Sequence, residues 1–263
     1  MKESISPQRL LKTAERAARA GGEHALRNKA RRRETLETFA HDLKLVLDLE
    51  CQRVVERIVL SDFPDHGILG EENVRAAPAD QYEWIVDPID GTMNYVHDFP
   101  YWCCSVAVRR NGTMLAGCVF APEYDAGYSA TADGPALRNG EPIRVSETAD
   151  LREAIVFTGI SKHVRSPEEL HFDVFRNLAL STRKLRINGA AALDLCHLAA
   201  GVADGFYETT LYLWDHAAAG LIAQRAGARL EILPLDLEPH ACTVLCATPA
   251  LFPALRETCL PAG

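Results

Sequence analysis

The stretch Trp84-Ile85-Val86-Asp87-Pro88-Ile89-Asp90-Gly91-Thr92-Met93-Asn94 constrains this chain more than any other segment. Its apolar run, Trp84 to Val86, reads as a buried strand that stops at a carboxylate followed by proline. Pro88 cannot donate to a ladder, so this reading puts Asp87 and Asp90 on a turn beyond the paired strand. Gly91 lets the backbone approach a ligand closely, and Thr92 opens a helix with free N–H groups ahead of it. Two carboxylates and a free main-chain carbonyl at a strand end suit a hard cation such as Mg²⁺. A helix N-terminus directly beyond them suits a phosphate. Cation and phosphate on one turn imply phosphoryl chemistry. An Asp-x-x-Asp pair alone also caps ordinary turns, however, so other segments must decide.

Two segments do. Upstream lies Gly67-Ile68-Leu69-Gly70-Glu71-Glu72, a short apolar piece that ends in paired acids. Downstream comes Leu213-Trp214-Asp215-His216-Ala217-Ala218-Ala219-Gly220. In this order the three motifs resemble the inositol monophosphatase family, Mg²⁺-dependent and lithium-sensitive phosphatases of small phosphorylated metabolites. The resemblance runs from about Asp42 to about Cys246, most of the chain.

The resemblance implies two principal Mg²⁺ ions. One takes Glu71, Asp87 and the backbone carbonyl of Ile89; the other takes Asp87, Asp90 and Asp215, so that Asp87 bridges. If these carboxylates converge, they repel one another and take up protons unless divalent cations neutralise them. By the same resemblance, Asp48 and Thr92 deprotonate a metal-bound water that attacks phosphorus in line, and Glu71 joins them in the catalytic set. Gly91 and Thr92 offer N–H groups to the phosphate. In the segment Gly189-Ala190-Ala191-Ala192, the N–H of Ala191 contacts the substrate, and Asp90, Glu208 and Asp215 face its organic part. Local sequence alone reads Asp48 as a first-turn helix acid, Asp215 as a helix N-cap and Glu208 as a surface carboxylate.

The approach to the first acidic residue departs from the family pattern. Glu37 stands where members commonly carry lysine. The usual Asp-x-Val-Thr-x-x-Asp reads Asp42-Leu43-Lys44-Leu45-Val46-Leu47-Asp48, with Leu45 in place of the hydroxyl residue and Lys44 adding a charge. These changes leave a third, loop-dependent ion open and keep both principal sites. The segment Leu230 to Leu237 also looks shortened.

The whole chain sets outer bounds. Its 263 residues, 48% hydrophobic and 24% charged, can bury a substantial core. A net charge of −8 argues against nucleic acid as the main partner. The N-terminus lacks an apolar signal core and no segment is long enough to span a bilayer, so a cytoplasmic location and no membrane partner are expected. Eight cysteines contain no C-x-x-C pair, and buried free thiols are the expected account.

Along the chain, Ser6-Pro7 starts a helix that Gly21-Gly22 is expected to end. The run Lys29 and Arg31 to Arg33 reads as a solvated face. A second helix is expected from Leu49 to Val59, burying Val54, Val55 and Ile58. The middle reads as an antiparallel meander: strands Trp102–Val108 and Met114–Phe120 around the hairpin Asn111-Gly112, with further turns at Asp133-Gly134 and Asn139-Gly140. After Ile143, strands Ala154–Thr158, Lys184–Ile187 and Thr243–Ala247 alternate with helices Ala191–Ala200 and His216–Gln224, and Gly227 stops the last helix. The expected fold class is α/β (α+β). Residues 1–145 form an α+β half with the main metal motifs, and residues 146–263 an α/β half that supplies Asp215 and the substrate pocket, in one unit without a flexible linker. The layered α-β-α-β-α sandwich of the inositol monophosphatase and fructose-1,6-bisphosphatase type is implied by the resemblance, as is a homodimer. The expected activity is hydrolysis of a phosphate monoester, inositol monophosphate or a related sugar or polyol monophosphate. Histidinol phosphate, fructose 1,6-bisphosphate or a 3′(2′),5′-bisphosphate nucleotide are alternative substrates, and a non-catalytic metal-binding regulator is the alternative of a different class.

Overall fold

The computed structural model describes residues 5–38, 43–76, 82–160, 172–236 and 239–260. Asp42 and Leu237, which bound two of the segments read above, lie outside the described residues. Helix α1 (Pro7–Arg27) begins as its sequence directs, with Pro7 in its first turn and the Ser6 hydroxyl accepting from the Arg9 N–H. It does not stop at Gly21-Gly22. Both glycines lie inside the helix, on the face formed by Leu10, Ala14, Ala17, Ala18 and Ala25. A Cβ on Gly21 would stand 3.0 Å from Cys104 Sγ and Val55 Cγ2, and one on Gly22 2.9 Å from Phe120. Close packing therefore outweighs the helix-breaking tendency of glycine here.

A two-stranded antiparallel pair follows, β1 (Thr35–Thr38) and β2 (Leu43–Leu45). Helix α2 (Val46–Asp62) starts three residues earlier than expected, because Asp48 Oδ2 accepts the Leu45 N–H at 2.7 Å and closes the first turn. Its buried face is consequently Leu47, Asp48, Cys51, Gln52, Val55 and Val59, while Val54 and Ile58 are only half-buried.

The larger sheet consists of β3 (Gly67–Gly70), β4 (Val74–Arg75), β5 (Tyr82–Asp90), β6 (Cys103–Arg110), β7 (Thr113–Ala121), β8 (Ala126–Thr131), β9 (Leu137–Arg138) and β10 (Glu141–Pro142). Its order is β10-β9-β8-β7-β6-β5-β3-β4, antiparallel except for the parallel pair β3 and β5. The short helix α3 (Thr92–Val96) leads from β5 towards β6. Asn111 and Gly112 both take positive φ, 51° and 78°, as the tight hairpin between β6 and β7 requires.

The second sheet and its helices follow in the order β11 (Ile155–Thr158), α4 (Phe172–Ser181), β12 (Lys184–Ile187), α5 (Ala191–Ala199), β13 (Gly205–Leu211), α6 (Leu213–Arg225), β14 (Arg229–Pro234), β15 (Cys242–Ala247) and α7 (Phe252–Cys259). The sheet runs β12-β11-β13-β15-β14 and is parallel across β12, β11 and β13 only. Helices α1 and α2 cover one face of the larger sheet, α5 and α6 fill the space between sheets, and α4 and α7 cover the far face of the smaller one. This is the α-β-α-β-α layering. The alanine run of α6 has a packing reason: a Cβ on Gly117 of β7 would fall 2.8 Å from Ala218 Cα, so strand and helix meet almost backbone to backbone. All eight cysteines are buried free thiols. Among the described residues no helix is long and apolar enough to cross a membrane.

Candidate active site

The two acids of the central motif are not on a turn. Strand β5 stays paired with β6 through Asp90, with Asp87 opposite Ser105 and Asp90 opposite Cys103. Pro88 and Ile89 together therefore face Cys104 alone, and this bulge absorbs the proline without ending the strand. Its consequence is functional. In a regular strand, residues three apart point to opposite faces. The extra residue resets the alternation, and both Asp87 and Asp90 line one cleft.

That cleft encloses about 170 Å³ and is also lined by Glu71, Ile89, Gly91, Thr92, Ala191, Glu208 and Asp215. Glu71 follows β3, where its N–H donates to Val86 O at 3.1 Å. Asp215 is the third residue of α6 rather than its N-cap, and its Oδ2 accepts the Tyr212 N–H at 2.7 Å. Asp87 Oδ1 accepts the Ile89 N–H at 3.1 Å. Asp90 Oδ2 accepts the Ala192 N–H at 2.9 Å and the Cys103 thiol at 3.4 Å. Each of these three acids thus has one oxygen held by backbone, which fixes its direction. Asp48 is built the same way but is buried outside the lining, and its charge still reaches Asp87.

The electrostatics follow from this crowding. Burial, then the charges of Glu71, Asp90, Asp215 and Asp48, push the Asp87 carboxyl well above its ordinary range. Burial and Asp215 raise Asp90 to about 8. Glu208, half-buried on β13, is raised by burial and by Asp194, Asp215 and Asp90. Among the described residues, no three acidic, histidine or cysteine side chains form a ready-made metal cage. What is present is a set of oxygen donors whose repulsion a divalent cation would relieve.

Gly91 is required twice over. Its φ is +88°, and a Cβ there would stand 3.0 Å from Tyr101 O and 3.2 Å from Gly189 O. Thr92, directly after it, donates its hydroxyl to Ile89 O at 3.0 Å. Ala191 lines the cleft as the first residue of α5. Sequence reasoning missed Gln52, which clamps the acidic loop: its Oε1 accepts the Glu72 N–H at 3.0 Å and its Nε2 donates to Asn73 O at 3.1 Å. Gly70 leaves room for it, since a Cβ there would overlap the Gln52 amide at 2.3 Å. Thr210, Leu211 and Ile160 were also missed as lining residues. Lys44, one of the departures noted above, pairs with Glu72 at 2.8 Å and stands opposite Glu37 in the β1–β2 pair.

The chain is similar to known proteins over nearly its whole length. The chain matches the inositol monophosphatase family over residues 6–252. It belongs to that family. The inositol monophosphatase of Dictyostelium discoideum is 32% identical across 97% of this chain and 96% of its own length. The Nus factor SuhB of Vibrio cholerae is 34% identical across 83% of each chain. The inositol monophosphatase structure from Anabaena (Nostoc) sp. PCC 7120 superposes with a TM-score of 0.85 at 28% identity, covering 97% of both chains. The layered sandwich described above is thus the inositol monophosphatase fold, and the chain is an inositol monophosphatase family phosphatase.

Proposed function

We propose that this family member hydrolyses a sugar or polyol monophosphate with divalent cations, Mg²⁺ first among them, and that inositol 1-phosphate is the substrate to test first. The observation that carries the reading is the convergence of Glu71, Asp87, Asp90 and Asp215 with Gly91, Thr92 and Glu208 in one small cleft. The donors fit the cation: all are oxygen, and Asp87 and Asp90 are held in a state that disfavours their own ionised form. Glu71, Asp87, Asp90, Asp215 and the Ile89 carbonyl would hold it. When bound, it neutralises these acids, draws charge from the phosphate and makes a water acidic enough to attack at neutral pH.

The chain's own residues supply positioning and proton transfer. Gly91 and Thr92 sit where backbone N–H groups can orient phosphate oxygens. The Thr92 hydroxyl donates to Ile89 O, so its oxygen can accept a hydrogen bond from the attacking water. To relay the proton, the hydroxyl turns away from Ile89 and gives its own proton to Asp48 as it takes the water's, which leaves Thr92 neutral and also frees the Ile89 carbonyl. Asp48 is suited to receive it, because burial and the Leu45 N–H keep its carboxylate fixed. No Ser, Cys or His nucleophile is needed.

Glu208 favours a hydroxyl-bearing group over a second phosphate, since Asp194, Asp215 and Asp90 already surround it with negative charge. This weighs against fructose bisphosphate and the bisphosphate nucleotides. Lys44, paired with Glu72 at 2.8 Å, adds a positive charge beside the acidic loop, which weighs against a third cation there. The non-catalytic reading keeps one support, the Nus factor name of the SuhB relative. The intact acid set speaks for catalysis. A phosphate-release screen over inositol 1-phosphate, histidinol phosphate, fructose 1,6-bisphosphate and a 3′,5′-bisphosphate nucleotide tests the proposal. Fastest release from the polyol monophosphate supports it; a bisphosphate preference overturns the substrate class, and no release from any of them favours the regulator.

A further inference from the structure

Six non-glycine residues among those described take positive φ, and five of them are Asp, Asn or His, which tolerate the left-handed region. The sixth is Thr210, at φ 64°. A β-branched residue is strained there, and such strain persists only where the surroundings enforce it. Thr210 is also the only one of the six that lines the cleft. It lies in a bulge: Glu208 pairs with Val244 and Leu211 with Cys242, so Thr209 and Thr210 together face Thr243. The Thr209 hydroxyl is tied to the Thr243 hydroxyl at 2.9 Å, whereas the Thr210 hydroxyl bonds to no described residue.

Its neighbours define a ligand chemistry. The Glu208 carboxyl is tucked against Gly159, where a Cβ would fall 2.0 Å from Oε1. Ile160 and Leu211 add apolar surface to the same lining. We infer that Thr210 is a specificity-determining residue, held in its strained conformation so that its hydroxyl and the Glu208 carboxyl read adjacent hydroxyls of a polyhydroxylated ring while Ile160 and Leu211 meet the ring's C–H surface. This rests on the phosphatase reading above and extends it to the non-phosphate end of the substrate.

The test compares the parent with Thr210→Ser, Thr210→Val and Thr210→Gly on inositol 1-phosphate and on p-nitrophenyl phosphate, with melting temperatures. Serine keeps the hydroxyl and retains the parent's ratio of kcat/KM between the two substrates within twofold. Valine keeps the shape without the hydroxyl, and its ratio falls about tenfold, mainly through KM. Glycine removes hydroxyl and strain together, so its ratio falls as far while the protein melts no lower than the parent. If valine does not fold, the serine and glycine pair decides. A ratio unchanged in the glycine variant, or equal losses on both substrates, overturns the inference. A parent that hydrolyses the aryl ester but no polyol monophosphate overturns it alone; a parent that hydrolyses neither overturns the phosphatase reading with it.

Discussion

The Asp87 carboxyl feels the charges of Glu71, Asp90, Asp215 and Asp48, and Asp87→Asn separates the cost of that crowding from its use. The asparagine keeps an Oδ1 acceptor for the Ile89 N–H, so the bulge keeps its internal support. It removes one negative charge from beside Glu71, Asp90, Asp215 and Asp48. A like-charge pair about 6 Å apart at an effective dielectric of 20 costs about 2–3 kcal/mol, and partial protonation reduces this. Without cations the variant should therefore gain about 1–3 kcal/mol, which for a chain of this size raises the melting temperature by about 3–8 °C. With Mg²⁺ the order reverses. A ligand at a hundred times its Kd stabilises the parent by about 2.7 kcal/mol, and the variant should lose most of that increment. Phosphate release should fall by orders of magnitude. Scanning calorimetry at pH 8, first with EDTA and then with excess Mg²⁺, reads all but the last. A variant that melts lower than the parent in EDTA, or that keeps the parent's full response to Mg²⁺, would show that Asp87 neither carries the repulsion nor holds the cation.

Other expected outcomes follow from the same contacts. Asp194 is buried, accepts from Tyr101 Oη at 2.5 Å and Asn188 Nδ2 at 2.7 Å, and burial raises its carboxyl to about 7. A raised carboxyl contributes stability below about pH 4 that is lost as pH rises through 7, so Asp194→Asn should match the parent near pH 4 and exceed it by about 2–4 kcal/mol at pH 8.5 in urea melts. A constant difference across that range would contradict this. Gly22→Val would press a branched side chain onto Phe120 and should cost about 1–3 kcal/mol, read as a lower urea midpoint. An unchanged midpoint would mean that α1 can lift off the sheet freely. Glu208→Ala should lower kcat/KM for inositol 1-phosphate roughly tenfold to a hundredfold relative to p-nitrophenyl phosphate. Equal losses on both would make Glu208 a support of the fold.

The parts of the fold legible in the sequence were those set by neighbouring residues. Asn111-Gly112 and Asn139-Gly140 took the positive φ values their types allow, β12 spans the expected Lys184–Ile187, and Gly227 stops α6 with φ 98°. What sequence did not give was set by partners distant along the chain. Gly21-Gly22 was read as a stop because Phe120, Cys104 and Val55, which need that space, lie far away. The β5 bulge depends on the register with β6, and Pro88 alone pointed to a turn instead. Of the site residues that the sequence named, the cleft gathers all except Asp48. Gln52 and Thr210 belong to no motif. Gln52 acts through contacts with Glu72 and Asn73, and Thr210 is marked only by its backbone angle.

Chelation followed by readdition shows whether the acid-lined cleft needs divalent cations to hydrolyse a phosphate monoester. Phosphate release from inositol 1-phosphate is followed in Mg²⁺, after EDTA, and after excess Mg²⁺ is restored. Release should stop with EDTA and return in full with Mg²⁺. Release that continues in EDTA, or none in Mg²⁺ from a folded protein, would rule out cation-assisted hydrolysis in this cleft.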